Sequence, residues 1–333
     1  MSKFSITTYT LGALFFLVSL FLSVFYGYKV VTHELPKEKK VQQKYKYHFV
    51  LVPEELDNEY WRLVEKGAMA AAKKYGVMLE YTGPKQANID EHLRTIEMAA
   101  ASKVDGIMTQ GLSDDQFTPL INKVVSMGTP VITVDTDVSN SERLSYIGTD
   151  NYLAGYLAGK ALIEDTDGKA NVAIITGSFY KNHQKLRVQG FKDAVKMEKN
   201  IHIIDIEESE ISRVRAAEKA YQIITKYPQV NAFFGTSALD GIGIAQVVET
   251  YKKQNQMYII GFDTLPETLD YMKKGVIQAT VVQEPYQMGY GAVKMMIDII
   301  NGKKVPSIVH TDTRIMRVKD LIANELGRKE DNQ

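Results

Sequence analysis

Four candidate strands run into residues able to hold a ligand. Val131-Ile132-Thr133-Val134 leads to Asp135-Thr136-Asp137, and Ala232-Phe233-Phe234 to Gly235-Thr236-Ser237. Tyr258-Ile259-Ile260-Gly261-Phe262 leads to Asp263, and Ala279-Thr280-Val281-Val282 to Gln283-Glu284-Pro285. Any one of these endings could cap a following helix, a position that Asp and Ser favour. Four of them, on well-separated strands and all at carboxyl ends, are better explained by one polar cleft, because open α/β sheets bind ligands there. A fifth strand, 47–52, ends in a polar loop that carries Asn58, Tyr60 and Trp61, the single tryptophan of the chain. Trp61, Val64, Ala68, Ala71 and Tyr75 then recur at helical spacing. Taken alone, this aromatic pair could cap a core as readily as line a site.

The residue types exclude other chemistry. Cysteine is absent, which rules out disulfides, thiolate metal sites, a cysteine nucleophile and a lipid-modified N-terminal cysteine. The six histidines (33, 48, 92, 183, 202, 310) show no metal-ligand spacing. There is no Ser-His-Asp arrangement or nucleophile elbow, and the paired Glu54-Glu55 reads as a solvated loop. Gly241-Ile242-Gly243 resembles the start of a dinucleotide fingerprint but lacks its third glycine and lies in a predicted helix. The formal net charge is zero, so nothing favours a nucleic-acid partner. No cofactor is implied.

The elements that must position the polar strand ends alternate. Strands are predicted at 47–52, 77–81, 104–109, 130–135, 171–176, 201–206, 231–235, 257–262 and 277–282. Helices are predicted at 58–75, 88–102, 115–127, 151–163, 184–197, 213–226, 238–252 and 286–301. This pattern predicts parallel sheets with helices on both faces. Nine strands are many for one open sheet, so two lobes are expected, the first closing near Gly148-Thr149-Asp150. Ahead of them, residues 9–28 are apolar and uncharged, long enough for a membrane helix. Phe25-Tyr26-Gly27-Tyr28 lacks the small residues of a cleavage site, which favours an uncleaved anchor. Residues 29–45 are polar and lysine-rich, and read as a linker.

Several motifs together resemble the periplasmic sugar-binding protein family of the ribose-binding type, whose fold is shared by the core of LacI-type repressors. They are Asn58-Glu59-Tyr60-Trp61 with Lys66-Gly67-Ala68, Val104-Asp105-Gly106-Ile107, the stretch 130–135, Ile147-Gly148-Thr149-Asp150-Asn151, Arg187-Val188-Gln189-Gly190-Phe191, Ile260-Gly261-Phe262-Asp263, and 275–283 with Pro285 and Met288-Gly289. The match covers roughly residues 46–320. It implies a type I periplasmic-binding-protein-like fold: two doubly wound parallel-sheet lobes joined by a three-crossover hinge near 149–150, 283–285 and 311–313. The expected division is an anchor and linker over 1–45 and a binding domain over 46–325. Within it the first lobe is 46–149 with 284–312, and the second 150–283 with 313–325.

The resemblance puts Asn58, Tyr60, Trp61, Asp135, Asp263 and Gln283 on the ligand. Flat aromatics pack on the C–H faces of a sugar ring, and carboxylates and amides pair with its hydroxyls. Where the family carries arginine after the first-lobe Asp, this chain has Thr136. The second-lobe arginine falls at Lys185, a single-point donor. A site Asn falls at Ser237, the aromatic of the far side falls near Ile211, and Arg187 keeps a more structural position. The pocket thus lacks planar donors and an aromatic wall, which speaks against ribose and leaves a ligand outside the common pentoses and hexoses open.

The implied function is a membrane-tethered, extracytoplasmic sugar- or polyol-binding protein, not an enzyme, that closes over its ligand and presents it to an ABC permease or a sensor histidine kinase. The lysines after the apolar run would by count place the globular part in the cytoplasm; the resemblance points outward. A LacI-type regulator core would need a basic helix-turn-helix where residues 1–45 stand. An enzyme on the same fold is the other alternative.

Overall fold

The structure is a computed structural model and describes residues 3–32 and 45–321. Residues 33–44, most of the expected linker, and 322–325, the end of the expected second lobe, lie outside the described residues. The chain divides into two compact units, Met1–Lys44 and Tyr45–Gln333.

In the first unit, α1 (Lys3–Thr32) contains the whole apolar run. Its described side chains, residues 13–29, are exposed on every face. Among the described residues no helix is long and apolar enough to cross a membrane.

The second unit is built on two six-stranded sheets. The first carries β1 (His48–Val52), β2 (Met78–Tyr81), β3 (Gly106–Thr109), β4 (Val131–Val134), β5 (Ser145–Gly148) and β11 (Ile308–His310), in the order β2-β1-β3-β4-β5-β11. The second carries β6 (Lys169–Thr176), β7 (Asn200–Glu208), β8 (Ala232–Gly235), β9 (Tyr258–Phe262), β10 (Ala279–Val282) and β12 (Arg314–Arg317), in the order β7-β6-β8-β9-β10-β12. The two orders correspond strand for strand. All pairings are parallel except β10 with β12, which run antiparallel. The chain passes between the sheets after β5, after β10 and after β11.

The strands are short and apolar on both sides because both faces are covered. Phe49 and Leu51 pack on one face of the first sheet with Val64, Ala68 and Met288. Val50 and Val52 pack on the other with Ile96, Ile107 and Phe117. The second lobe repeats this, with Ile174, Phe191, Phe234 and Ile260 on one face and Ala173, Phe233, Ile244 and Ile259 on the other.

Each lobe also clamps one pair of helices closely. In the first, Gly67 of α2 (Glu59–Tyr75) faces the backbone of Tyr286, and Gly289 of α10 (Pro285–Ile300) faces that of Val64. In the second, Gly155 of α5 (Asn151–Asp165) faces the backbone of Arg187, and Gly190 of α6 (Asn182–Val195) faces that of Tyr152. Any side chain at these positions would overlap the partner backbone.

The eight helices expected from the sequence all form. Sequence reasoning missed β5, β11 and β12, which are three or four residues long, and the eight-residue α9 (Pro266–Lys273). The remaining helices are α3 (Ile89–Ala101), α4 (Asp114–Ser126), α7 (Arg213–Lys226) and α8 (Ala238–Thr250).

Candidate functional site

Between the carboxyl edges of the two sheets lies a cavity of about 500 Å³. From the first lobe it is lined by Glu54, Asn58, Tyr60, Trp61, Gln110 and Asp135, and from the second by Lys181, His183, Gln184, Arg187, Ile211, Ser237 and Asp263, among others.

The two carboxylates sit at equivalent turns. Asp135 follows β4 and Asp263 follows β9, with φ of 67° and 65°. The left-handed conformation is one that Asp tolerates better than most residues. Each turn is fixed in the same way by the neighbouring strand. The Asp135 N–H donates to the Ile147 carbonyl at 2.9 Å and the Asp263 N–H to that of Val281 at 2.8 Å. The Asp135 carbonyl accepts from Tyr146 Oη at 2.9 Å and the Asp263 carbonyl from Thr280 Oγ1 at 2.8 Å. Both side chains are thereby aimed off the sheet edge into the cleft.

Their partners differ. Asp135 accepts from Tyr60 Oη at 2.5 Å, Gln110 Nε2 at 2.9 Å and Thr136 Oγ1 at 3.0 Å. Burial, with the Asp135 charge beside it, holds the Tyr60 hydroxyl protonated well above the usual tyrosine range. Asp263 accepts from Gln283 Nε2 at 2.7 Å. Burial pushes its carboxyl up to about 6, the Arg187 guanidinium and the Gln283 amide pull it back down, and Asp135 across the cleft raises it again.

Arg187 is held by three donations: Nε to Asn151 Oδ1 at 2.8 Å, Nη1 to the Thr236 carbonyl at 2.8 Å and Nη2 to Gln283 Oε1 at 3.0 Å. Its guanidinium stacks 3.9 Å above the Phe262 ring. Gln283 Oε1 also accepts from Thr149 Oγ1 at 2.6 Å. Thr149 ends the first lobe after β5 and Gln283 ends the second after β10, so one amide ties two hinge crossings to Asp263.

Two further contacts cross the cleft. Lys181 pairs with Glu54, both largely shielded from solvent. Thr136 Oγ1 lies 3.2 Å from His183 Nδ1. Burial lowers the His183 pKa well below its usual value, with Arg187 and Lys181 acting in the same direction, so it is neutral. Among the described residues no cluster of His, Asp and Glu could hold a metal.

Of the residues named from the sequence, Asn58, Tyr60, Trp61, Asp135, Ser237 and Asp263 line the cavity. Thr136 and Gln283 are buried behind the two carboxylates rather than on the lining. Asn58 and Ser237 also cap α2 and α8, accepting from Tyr60 N and Asp240 N. Lys185 is exposed and stands apart from the cavity. It lies on α6, where His183, Gln184 and Arg187 form the inward face and position 185 turns outward. Arg187, expected to be structural, lines the cavity while making structural bonds. Gln110, Lys181 and His183 were not anticipated, and Glu54, expected in a solvated loop, is instead largely shielded because it pairs with Lys181 across the cleft. Gln110 follows β3 directly, so the strand-end rule used for Asp135 and Asp263 could have found it. The others meet only across the cleft and leave no local signal.

A family model described as a periplasmic binding protein domain matches residues 49–304. GanP, a glucose-galactose binding protein from Geobacillus stearothermophilus, is 65% identical, with a TM-score of 0.81 over 83% of this chain and 98% of that one. The XylFII–LytSN complex contains a chain 36% identical, with a TM-score of 0.78 over 83% of this chain and 99% of that one. The D-allose-binding periplasmic protein of Escherichia coli is 24% identical over 268 residues, 78% of this chain and 86% of its own.

Proposed function

The chain belongs to the periplasmic binding protein family, and from that premise we propose that it is a receptor that closes over one aldohexose, D-glucose or D-galactose. The observation that carries this reading is the pair of inward carboxylates on opposing lobes, with Trp61 beside them. A pyranose presents C–H faces to an aromatic ring and hydroxyls to carboxylates and amides. A ligand that bridges Asp135 and Asp263 gains its full binding energy only when the lobes meet, which favours the closed form. The 65% identity to GanP supports a hexose over a pentose.

The cleft disfavours an anionic sugar. Arg187 spends three of its five N–H donors on protein groups, Lys181 faces Glu54, and Arg213 faces Glu267. The related chains are binding proteins by name, which supports binding without catalysis.

The second element of the proposal is a tether. The uncharged run 9–28 lies inside a 30-residue helix whose described side chains, residues 13–29, are exposed and carry one charge, Lys29. We read it as an anchor with the binding domain on the outer side of the membrane. The closed receptor is then read by a membrane partner, an ABC permease or a sensor histidine kinase. A tether holds a receptor beside one partner at high effective concentration, which favours the kinase. The solved complex of XylFII with LytSN supports a protein partner for a related receptor.

Titration calorimetry of the purified chain against D-glucose, D-galactose, D-ribose, D-xylose and L-arabinose tests the ligand. Micromolar or tighter binding of a hexose supports the reading; binding of pentoses alone overturns it. Protease added to intact protoplasts should digest the domain after residue 45, and full protection until lysis would overturn the outward placement.

A further inference from the structure

The far wall of the cleft is made of backbone in a conformation its residues resist. Glu210 and Ile211 have φ of 55° and 54°. Two consecutive non-glycine residues stand in the left-handed region, and for a β-branched side chain such as Ile211 this is an outlier. Such conformations persist only where the surroundings over-determine them, and they cluster at ligand clamps. Ile211 lines the cavity.

What over-determines this turn is Ser209, whose side chain is fully buried. Its Oγ accepts from the Ile211 N–H at 3.1 Å and donates its own proton to Asp240. Its N–H donates to the Thr176 carbonyl at 2.9 Å, and its carbonyl accepts from the Ser212 N–H at 3.1 Å. The Ile211 side chain seats against Gly177, where an added Cβ would lie 2.6 Å from Cγ1.

Asp240 is a buried carboxylate that the ligand site does not use. It lies in the first turn of α8 and does not touch the cavity. Its N–H donates to Ser237 Oγ at 3.3 Å, as a helix cap requires. Capping accounts for that N–H but not for a fully buried side chain whose Oδ1 faces Ser209 and whose Oδ2 has no partner among the described residues.

We infer that Asp240 is a positioning residue for ligand affinity: with Ser209 it forms a buried brace that holds Ile211 in the left-handed conformation as the far wall of the cleft. The role is indirect. Asp240 fixes the Ser209 hydroxyl, the hydroxyl fixes the Ile211 amide, and the turn presents the side chain to bound ligand. The inference rests on the hexose reading only for the choice of probe.

A double-mutant cycle on the purified full-length chain tests it, with affinities for D-glucose and D-galactose from calorimetry and hydrogen exchange of amides 209–212 in the unliganded protein. Ser209→Ala should weaken binding about fivefold or more and speed exchange in the turn. Asp240→Ala, which removes the acceptor of Ser209, should match the loss of Ser209→Ala, whereas Asp240→Asn, which keeps one, should stay within about threefold of wild type. Wild-type affinity and exchange in Asp240→Ala overturn the inference. Ile211→Gly adopts the conformation without a brace, so adding Ser209→Ala to it should change affinity less than about twofold. The inference is overturned by unchanged affinity and exchange in Ser209→Ala, or by the same loss in both backgrounds, which would mark a merely structural serine. A wild-type chain that binds neither sugar overturns the ligand reading instead, and the exchange measurement then still decides the brace.

Discussion

Asp135 and Asp263 stand at equivalent turns of two lobes with matching strand order, yet one is finished and the other is not. Asp135 accepts three hydrogen bonds from its own lobe. Asp263 accepts one, from an amide at the hinge, and burial lifts its carboxyl to about 6. The first lobe therefore carries a preorganised half-site. In the proposed reading the second carries a carboxylate whose remaining acceptors take ligand hydroxyls, while its one partner, Gln283, sits at the hinge. Equivalent position in a repeated fold does not mean equivalent energetics.

Removing each carboxylate separates the two cases most sharply. Asp263→Ala should weaken hexose binding by roughly 30- to 1,000-fold, as a charge-assisted hydrogen bond is lost and a hydroxyl left unpaired. Asp263→Asn should lose affinity yet gain stability. A carboxyl raised from 3.8 to about 6 binds more protons folded than unfolded, so its contribution falls as pH rises from about 4 to 6 and stays unfavourable above. Neutralising it should return roughly 1–3 kcal/mol at pH 7. Asp135→Ala should instead cost roughly 2–4 kcal/mol of stability, because Tyr60, Gln110 and Thr136 lose their acceptor. Calorimetric titration and thermal unfolding of the three variants check this, and equal stability changes at both positions would erase the distinction.

A smaller effect comes from pH. Ligand hydroxyls favour the ionised Asp263, so affinity should hold above pH 6 and fall by up to about tenfold for each unit below it. Affinities measured from pH 5 to 8 should flatten in Asp263→Asn; a persisting slope would assign the titration to another group.

The cross-cleft pair contributes less. Lys181→Ala should leave Glu54 unpaired in the closed form and weaken binding by about three- to tenfold, mostly through faster release, as a partly shielded ion pair is worth about 1 kcal/mol. Stopped-flow traces of Trp61 fluorescence would measure it. Lys185→Ala should change affinity by less than about twofold, since the side chain points outward; a larger loss in calorimetry would show that α6 turns in the liganded protein.

Much of this was legible in the sequence, for reasons that differ by element. The helices were found from their periodicity, and β1, β4, β9 and β10 because burial on both sheet faces writes apolar runs into them. β11 and β12 are edge strands with exposed or half-buried residues and β5 reads Ser145-Tyr146-Ile147-Gly148, so none of the three writes an apolar run. Polar residues at strand ends pointed to Asp135, Ser237 and Asp263, since the sheet edge alone decides where they face. Lys185 was displaced by helical register, which a motif match two residues from Arg187 does not fix. The contacts of Glu54, Lys181 and His183 depend on lobe closure, and the brace at Ser209 depends on a turn that Glu210 and Ile211 would not suggest.

The threefold passage between lobes bears on the order of assembly. α10 and β11 follow all of the second lobe but β12 in the chain, yet α10 packs on α2 near the chain's beginning, with Gly289 against Val64. The first lobe cannot complete its core until almost the full length has emerged. The second lobe lacks only β12 by residue 282. During vectorial synthesis or export the second lobe can therefore settle first, while α2 and β1 wait with their apolar faces uncovered. Long-range closure of this kind is slow, and the waiting segment is where a chaperone would be needed most.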